Sequence, residues 1–255
     1  MAAATRVIVG GIARVYCSSM SFRDRLVATL RAIEPVLLEP GVLVVGSEVP
    51  NLLEPGAAST LVVSQDVDIG VPVTAHAAVK ERLRSVEALR PSPEEPSVWI
   101  PPQGSTLLEV NFVGMDAALA DPGAAYVLED HELPLLVFGA LSLVEPADPI
   151  DVDGIRVPVP RKAGLVLEKL LTDRTAEKGE RDRLVALGLL LIGDERDLTE
   201  LEARYAALAA ADRHTVRSNL AILSLTHRRL GMPDPEPQRE RVATLLRRFE
   251  EVEVP

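Results

Sequence analysis

The stretch LVVGSEVPNLL (residues 43–53) runs three apolar residues into Gly46-Ser47, and SQDVDIGV (64–71) follows after a Pro-Gly break. Residues i and i+2 of a strand share a face. Asp66 and Asp68 would therefore crowd two negative charges together on one side of a strand whose intervening Val67 and Ile69 face a core. Outward from this point, Val42 to Val45 reads as a buried strand, NLLEPGAAS as a short helix or loop, and TLVVSQDVDIGVPV as the next strand.

Before it, SFRDRLVATLRAIEPVLL begins with Ser21 as a helix cap, with Asp24 three residues on and Leu26, Leu30 and Ile33 on one face. After it, TAHAAVKERLRSVEAL has helical spacing and stops at a Pro-rich turn, and SVWIPP and STLLEVNFVG read as strands. LPLLVFGALSLV leads into PIDVDGIRVPVP, where Asp153-Gly154 marks a hairpin. The pattern predicts an α/β (α+β) domain, a small mixed sheet flanked by helices, over residues 21–160. Residues 1–20 read as an N-terminal extension, with Met20 an alternative start. From residue 161 the chain turns helical, and 161–255 is expected to form a helical C-terminal domain, its last helix running from Arg239 to about Glu251.

The chain has 255 residues, 47% hydrophobic and 25% charged, which is the composition of a folded soluble protein. No apolar run approaches the roughly 20 residues of a membrane span, so the expected location is the cytoplasm. Cys17 is the sole cysteine and no Cys/His cluster has zinc spacing, so any metal must take oxygen ligands. The net charge of −11 hides an asymmetry. Between Arg213 and Arg248 eight arginines face three carboxylates, a local excess of +5 against −16 elsewhere. These arginines read either as solvated helix faces or as an RNA- or phosphate-facing surface. The four histidines are scattered. GGIARVY lacks the flanking pattern of a dinucleotide site, and Trp99 reads as a core or rim residue.

Gly46-Ser47 followed by Ser64-Gln65-Asp66-Val67-Asp68 resembles the signature of the nucleotidyltransferase superfamily, the polymerase β-like fold. There a Gly-Ser or Gly-Gly turn precedes an Asp-x-Asp strand, with Ser or Thr two residues before the first Asp. A second segment, VPVPRKAGLVLEKLLTDRTAEKGERD, is similar to one in bacterial members that include abortive-infection-type toxins; the matching positions are Lys169, Arg174, Lys178 and Asp182. The resemblance implies a nucleoside triphosphate held by Gly46, Ser47 and Ser64, with Mg²⁺ on Asp66 and Asp68. It also implies that Lys169 and Arg174 contact the β- and γ-phosphates. Lys178 and Asp182, at i and i+4, read equally as a surface ion pair. The superfamily usually adds a third carboxylate from a neighbouring strand. Here Asn111 takes that position, and Glu109, two residues earlier on the same face, is the candidate to replace it. The implied reaction is transfer of a nucleotidyl group to a hydroxyl acceptor on protein, RNA or a small molecule. The alternative is a non-catalytic binding or regulatory protein of toxin–antitoxin type on a degenerate version of the fold.

Overall fold

The computed structural model describes residues 21–54, 66–171, 176–225 and 236–253. Helix α1 (Phe22–Ala32) starts at a complete capping box: the Ser21 hydroxyl accepts from the Asp24 N–H and the Asp24 carboxylate accepts from the Ser21 N–H, both at 3.1 Å. These bonds satisfy donors that a helix start leaves without intrahelical partners. A short α2 (Glu34–Leu37) with Pro35 in its first turn follows. Strand β1 (Leu43–Val45) ends at Gly46, where a single 3₁₀ turn (Gly46–Glu48) opens helix α3 (Val49–Leu53). Strand β2 (Asp66–Pro72) leads to α4 (His76–Leu83).

The expected helix over TAHAAVKERLRSVEAL is thus only half as long. Ser85 ends it by hydrogen-bonding Arg82 O through both its N–H and its hydroxyl, so Val86 and Leu89 reach the core from irregular backbone. The sheet continues through β3 (Arg90–Pro91), β4 (Val98–Ile100), β5 (Glu109–Met115), β6 (Ala125–Leu128) and β7 (Leu135–Phe138). Neither β3 nor β6 stands out in the sequence: β3 has two residues, and β6 has no buried residue to generate an alternating pattern. The hairpin β8 (Ile150–Val152) and β9 (Ile155–Val157) turns at Asp153-Gly154, both at positive φ, as its Asp-Gly sequence demands.

Strand β2 lies between antiparallel β1 and parallel β5, and the far side of β5 is shared by antiparallel β4 and parallel β7, with β6 antiparallel on β7. Because the pleat alternates, the sheet has two distinct faces. One carries Val44, Val67, Ile69, Val110, Phe112 and Leu135 into a core closed by α1, α2, α4 and the hairpin. The other carries Leu43, Val45 and Met115 into a second core built with the later helices. Thr29 ties α1 to the start of β5: its hydroxyl donates to Arg25 O at 2.8 Å and accepts from the Leu108 N–H at 2.9 Å.

Helices α5 (Lys162–Leu171), α6 (Ala176–Ile192), α7 (Glu195–Ala207), α8 (Ala210–Ser224) and α9 (Glu236–Glu253) follow. Gly164 lets α5 sit hard against the turn after β7, where a Cβ would lie 2.2 Å from Leu143 O. Within the bundle, Tyr205 of α7 stacks on Phe249 of α9 with ring centroids 3.7 Å apart. The change to helix expected near residue 161 is present, but the second core does not divide there: Leu43, Val45, Val49, Met115 and Leu141 share it with α5 to α9.

Candidate functional site

Gly46 places the start of the site. Its φ of +89° is in the left-handed region, and a Cβ on it would stand 2.4 Å from Asp68 Oδ2. Only glycine satisfies both conditions. The turn it makes brings Ser47 over the β2 carboxylates, and the Ser47 hydroxyl donates to Glu48 Oε1 at 3.1 Å. Glu48 itself is buried and also accepts from the Asn51 amide at 3.4 Å. The turn is therefore anchored from beneath.

Asp66 and Asp68 share the face predicted from their spacing. Register sets Glu109 beside Asp66 and Asn111 beside Asp68. The Asn111 amide Nδ2 donates to Asp66 Oδ2 at 2.8 Å and to Asp68 Oδ1 at 3.2 Å. Ionised carboxylates only accept, so the nitrogen end of the amide must be the end between them. One neutral side chain thus relieves the repulsion that the sequence raises.

Asp66, Asp68 and Asn111 line a cleft of about 530 Å³ together with Ser47, Lys169, Arg181 and Asp182. Lys169, 7% exposed, is held by two carboxylates: its Nζ lies 2.9 Å from Glu168 Oε2 and 3.5 Å from Asp182 Oδ1. The sequence asks for an anionic partner for this lysine, and the protein supplies one from α5 itself and one from α6. Asp182 accordingly meets Lys169 at 3.5 Å. The side chains of Lys178 and Arg174, and Ser64, lie outside the described residues.

Glu109 is exposed at the first position of β5 and is not among the residues lining the cleft. Glu95 is, carried on the turn that enters β4 beside Ser97 and Val98. No motif points to Glu95, because it reaches the site through the pairing of Val98 with Asn111, a contact between strands that sequence spacing does not encode. Arg181 was likewise hidden beside the Asp182 that the motif names. The remaining wall is apolar, with Val113 of β5, Leu136 and Phe138 of β7, and Val185 of α6.

The donor set fits a cation that brings most of its own ligands. Asp66 and Asp68 share one face of β2 and both accept from the Asn111 amide nitrogen, and among the described residues no group of three or more His, Cys, Asp or Glu side chains could hold a metal ion. Mg²⁺ is commonly bound in this way, by one or two carboxylates plus substrate phosphates and water.

The Arg-rich helices are engaged within the protein at several points. Arg241 caps the end of α6 through Leu190 O at 2.7 Å and through Gly193 O. Arg248 pairs with Glu202 and Glu195 of α7 at 2.8 and 2.5 Å, and Arg213 donates to Leu208 O at 2.8 Å.

No protein-family model matches the sequence, and no curated protein does. Among solved structures, the chain is similar to the antibiotic-resistance factor ANT(2'')-Ia, with 12% identity and a TM-score of 0.41 over 75% of this chain and 97% of that one. It is also similar to a nucleotidyltransferase from H. pylori, at 13% identity and a TM-score of 0.38 over 90% and 96% of the two chains. A third is JHP933 from Helicobacter pylori, at 14% and 0.39 over 92% and 95%. Identities this low attach no function to the chain, and among its described residues no helix is long and apolar enough to cross a membrane.

Proposed function

We propose that the protein transfers a nucleotidyl group from a divalent-cation-bound nucleoside triphosphate to a hydroxyl acceptor, with release of pyrophosphate. The observation that carries this reading is the convergence of Asp66 and Asp68 beneath the Gly46-Ser47 turn, in one cleft with Lys169 and Arg181. Each part has a physical role. The turn at Gly46 lets backbone approach the phosphates closely, and the Ser47 hydroxyl can turn from Glu48 to a phosphate oxygen. Asp66 and Asp68 would hold the cation, which would take the place between them that the Asn111 amide nitrogen fills. When bound, Mg²⁺ would neutralise phosphate charge and stabilise the charge that builds up on the transferred group.

Lys169 and Arg181 would bind the leaving pyrophosphate, with Glu168 and Asp182 fixing the lysine in place. The acceptor hydroxyl must lose its proton as its oxygen bonds the α-phosphorus and the α–β anhydride bond breaks. We assign this proton to Glu95, which lines the cleft, in place of Glu109.

One observation favours the alternative, a nucleotide-binding regulator without catalysis: an amide stands between the two carboxylates where the resemblance expects a third acid. Melting curves with each nucleoside triphosphate, with Mg²⁺ or with chelator, test the shared step, because a ligand of the folded state raises stability by RT ln(1 + [L]/Kd). Transfer is then followed as pyrophosphate release. A Mg²⁺-dependent melting shift that Asp66→Asn and Asp68→Asn abolish, with turnover that Glu95→Gln lowers at unchanged nucleotide affinity, supports the enzyme. Nucleotide binding without turnover in wild type, and turnover gained in Asn111→Asp, selects the regulator. No shift with any nucleotide rejects both.

A further inference from the structure

Behind β4, on the side of the first core to which Leu83, Trp99 and Leu133 belong, lies a second cavity of about 440 Å³. Its walls are Leu83 of α4, Pro91 of β3, Trp99 of β4, Pro93 and Pro96 in the turn between these strands, and Leu133 before β7. Small-molecule sites have this size and apolar character, with a few polar groups that fix orientation. Lys80 and Arg84 also line it, but both are paired: Lys80 with Asp130 at 2.6 Å, Arg84 with Glu81 at 2.6 Å and Glu132 at 3.4 Å. One demand is unmet. Trp99 is 8% exposed, and its indole Nε1, a donor and never an acceptor, has no partner among the described residues. A buried donor left unsatisfied costs free energy that a bound acceptor would return.

One short segment lines both cavities. Ser92, Pro93, Pro96 and Trp99 border this one, while Glu95, Ser97 and Val98 border the cleft. The segment is closed by backbone bonds, Ser92 N–H to Val98 O at 2.7 Å and Val98 N–H to Glu95 O at 2.9 Å. Pro93 and Pro96, each with φ fixed at about −65°, stiffen it on either side of Glu94-Glu95. What fills the cavity therefore bears on the turn that carries Glu95. We propose that this cavity is an effector site for a neutral, ring-sized apolar molecule with one strong hydrogen-bond acceptor, an aryl or alicyclic ketone in class, whose oxygen accepts from Trp99 Nε1. The ions at its edge are spent on one another, so an added charge would be desolvated against leucine and proline without a partner. An occupied cavity props the turn from behind and holds Glu95 at the cleft. The site stands without the transferase reading; its effect on catalysis rests on it.

Trp99 is the one tryptophan, so its indole N–H gives a single resonance in a ¹⁵N–¹H spectrum. Acetophenone is the probe, and α-methylstyrene, in which a CH₂ replaces the carbonyl oxygen, is its control of equal shape. Acetophenone should move the indole resonance downfield, as hydrogen bonding does, and α-methylstyrene should not. Trp99→Phe keeps an aromatic ring without the donor, and the ratio of acetophenone to α-methylstyrene affinity should fall about tenfold in it. With acetophenone bound, exchange of the Ser92 and Val98 amide hydrogens should slow. With Mg²⁺ and nucleoside triphosphate present, kcat should then rise at unchanged nucleotide affinity. Failure of acetophenone to bind or to move the indole resonance, or a ratio that Trp99→Phe leaves unchanged, overturns the site even where nucleotide binding and transfer are normal. Ketone binding that leaves exchange at Ser92 and Val98 unaltered overturns the link to Glu95. Ketone binding with slowed exchange, in a protein that binds no nucleotide, upholds the site and overturns the transferase reading instead.

Discussion

At Gly46 two demands meet on one Cα: a left-handed φ and a carboxylate oxygen where a Cβ would be. Gly46→Ala should therefore cost about 1–2 kcal/mol from the backbone alone, read in urea unfolding, and push Asp68 aside, weakening Mg²⁺-nucleotide binding at least tenfold. Wild-type affinity in that variant would mean Asp68 is not a metal ligand. Asn111 shows the opposite dependence on charge. Its amide donates to both aspartates, so Asn111→Asp replaces two charge-assisted bonds by a third negative charge. The variant should melt lower than wild type in chelator, by several degrees, since about 1 kcal/mol shifts a domain of this size by roughly 2–4 °C. Mg²⁺ should restore most of the loss. Equal melting with and without Mg²⁺ would show that the three positions do not share a cation. The glycine, the acid pair and the amide were all visible in the sequence as residues. That the amide bonds both acids was not, because it depends on the parallel register of β2 and β5.

Between elements, buried charge joins α5 to α6 through Lys169, Glu168 and Asp182. Removing the cation alone, as in Lys169→Met, leaves two carboxylates buried together, and breaking such an arrangement typically costs about 3–5 kcal/mol. The double variant Lys169→Met with Asp182→Asn should recover a large part of this in a double-mutant cycle; strict additivity would mean the α5–α6 pairing carries no energy. A second link, Lys80 of α4 to Asp130 before β7 at 2.6 Å, is mostly screened and worth about 1 kcal/mol. The Lys80 hydrogen bond, and then the Leu133 N–H, hold the Asp130 carboxyl well below the usual carboxylate range. A lowered carboxylate pKa stabilises the folded state above the unfolded value and loses that contribution as pH falls through the folded one. The stability gap between wild type and Lys80→Met should thus be constant near neutrality and narrow below about pH 4. A gap that widens in acid would contradict the pairing. Periodicity made α1, β1, β2, β5 and the hairpin legible. It overran α4, whose end is set by Ser85, and passed over β6, whose residues face no core.

For the whole molecule, the second core draws on both sides of residue 160. The α/β part and the helices should therefore unfold together. Trp99, the one tryptophan, reports on the sheet, and far-ultraviolet circular dichroism reports chiefly on the helices. Their thermal transitions should coincide; two separated midpoints would establish independent domains. A fragment ending at residue 160 should expose Leu43, Val45, Val49, Met115 and Leu141 and bind hydrophobic dyes. The sequence by itself determined α1, β1, β2, β5, the hairpin, the glycine turn and the acid pair, because strand pleat, helix period and capping act within a few residues of chain. Only the tertiary structure decided that Glu95 enters the cleft, that Lys169 is held by Glu168 and Asp182, and that Val113, Leu136 and Phe138 line the cleft with the carboxylates. Each of these depends on which strands and helices become neighbours, and that is set by the shared burial of apolar faces far apart in the chain.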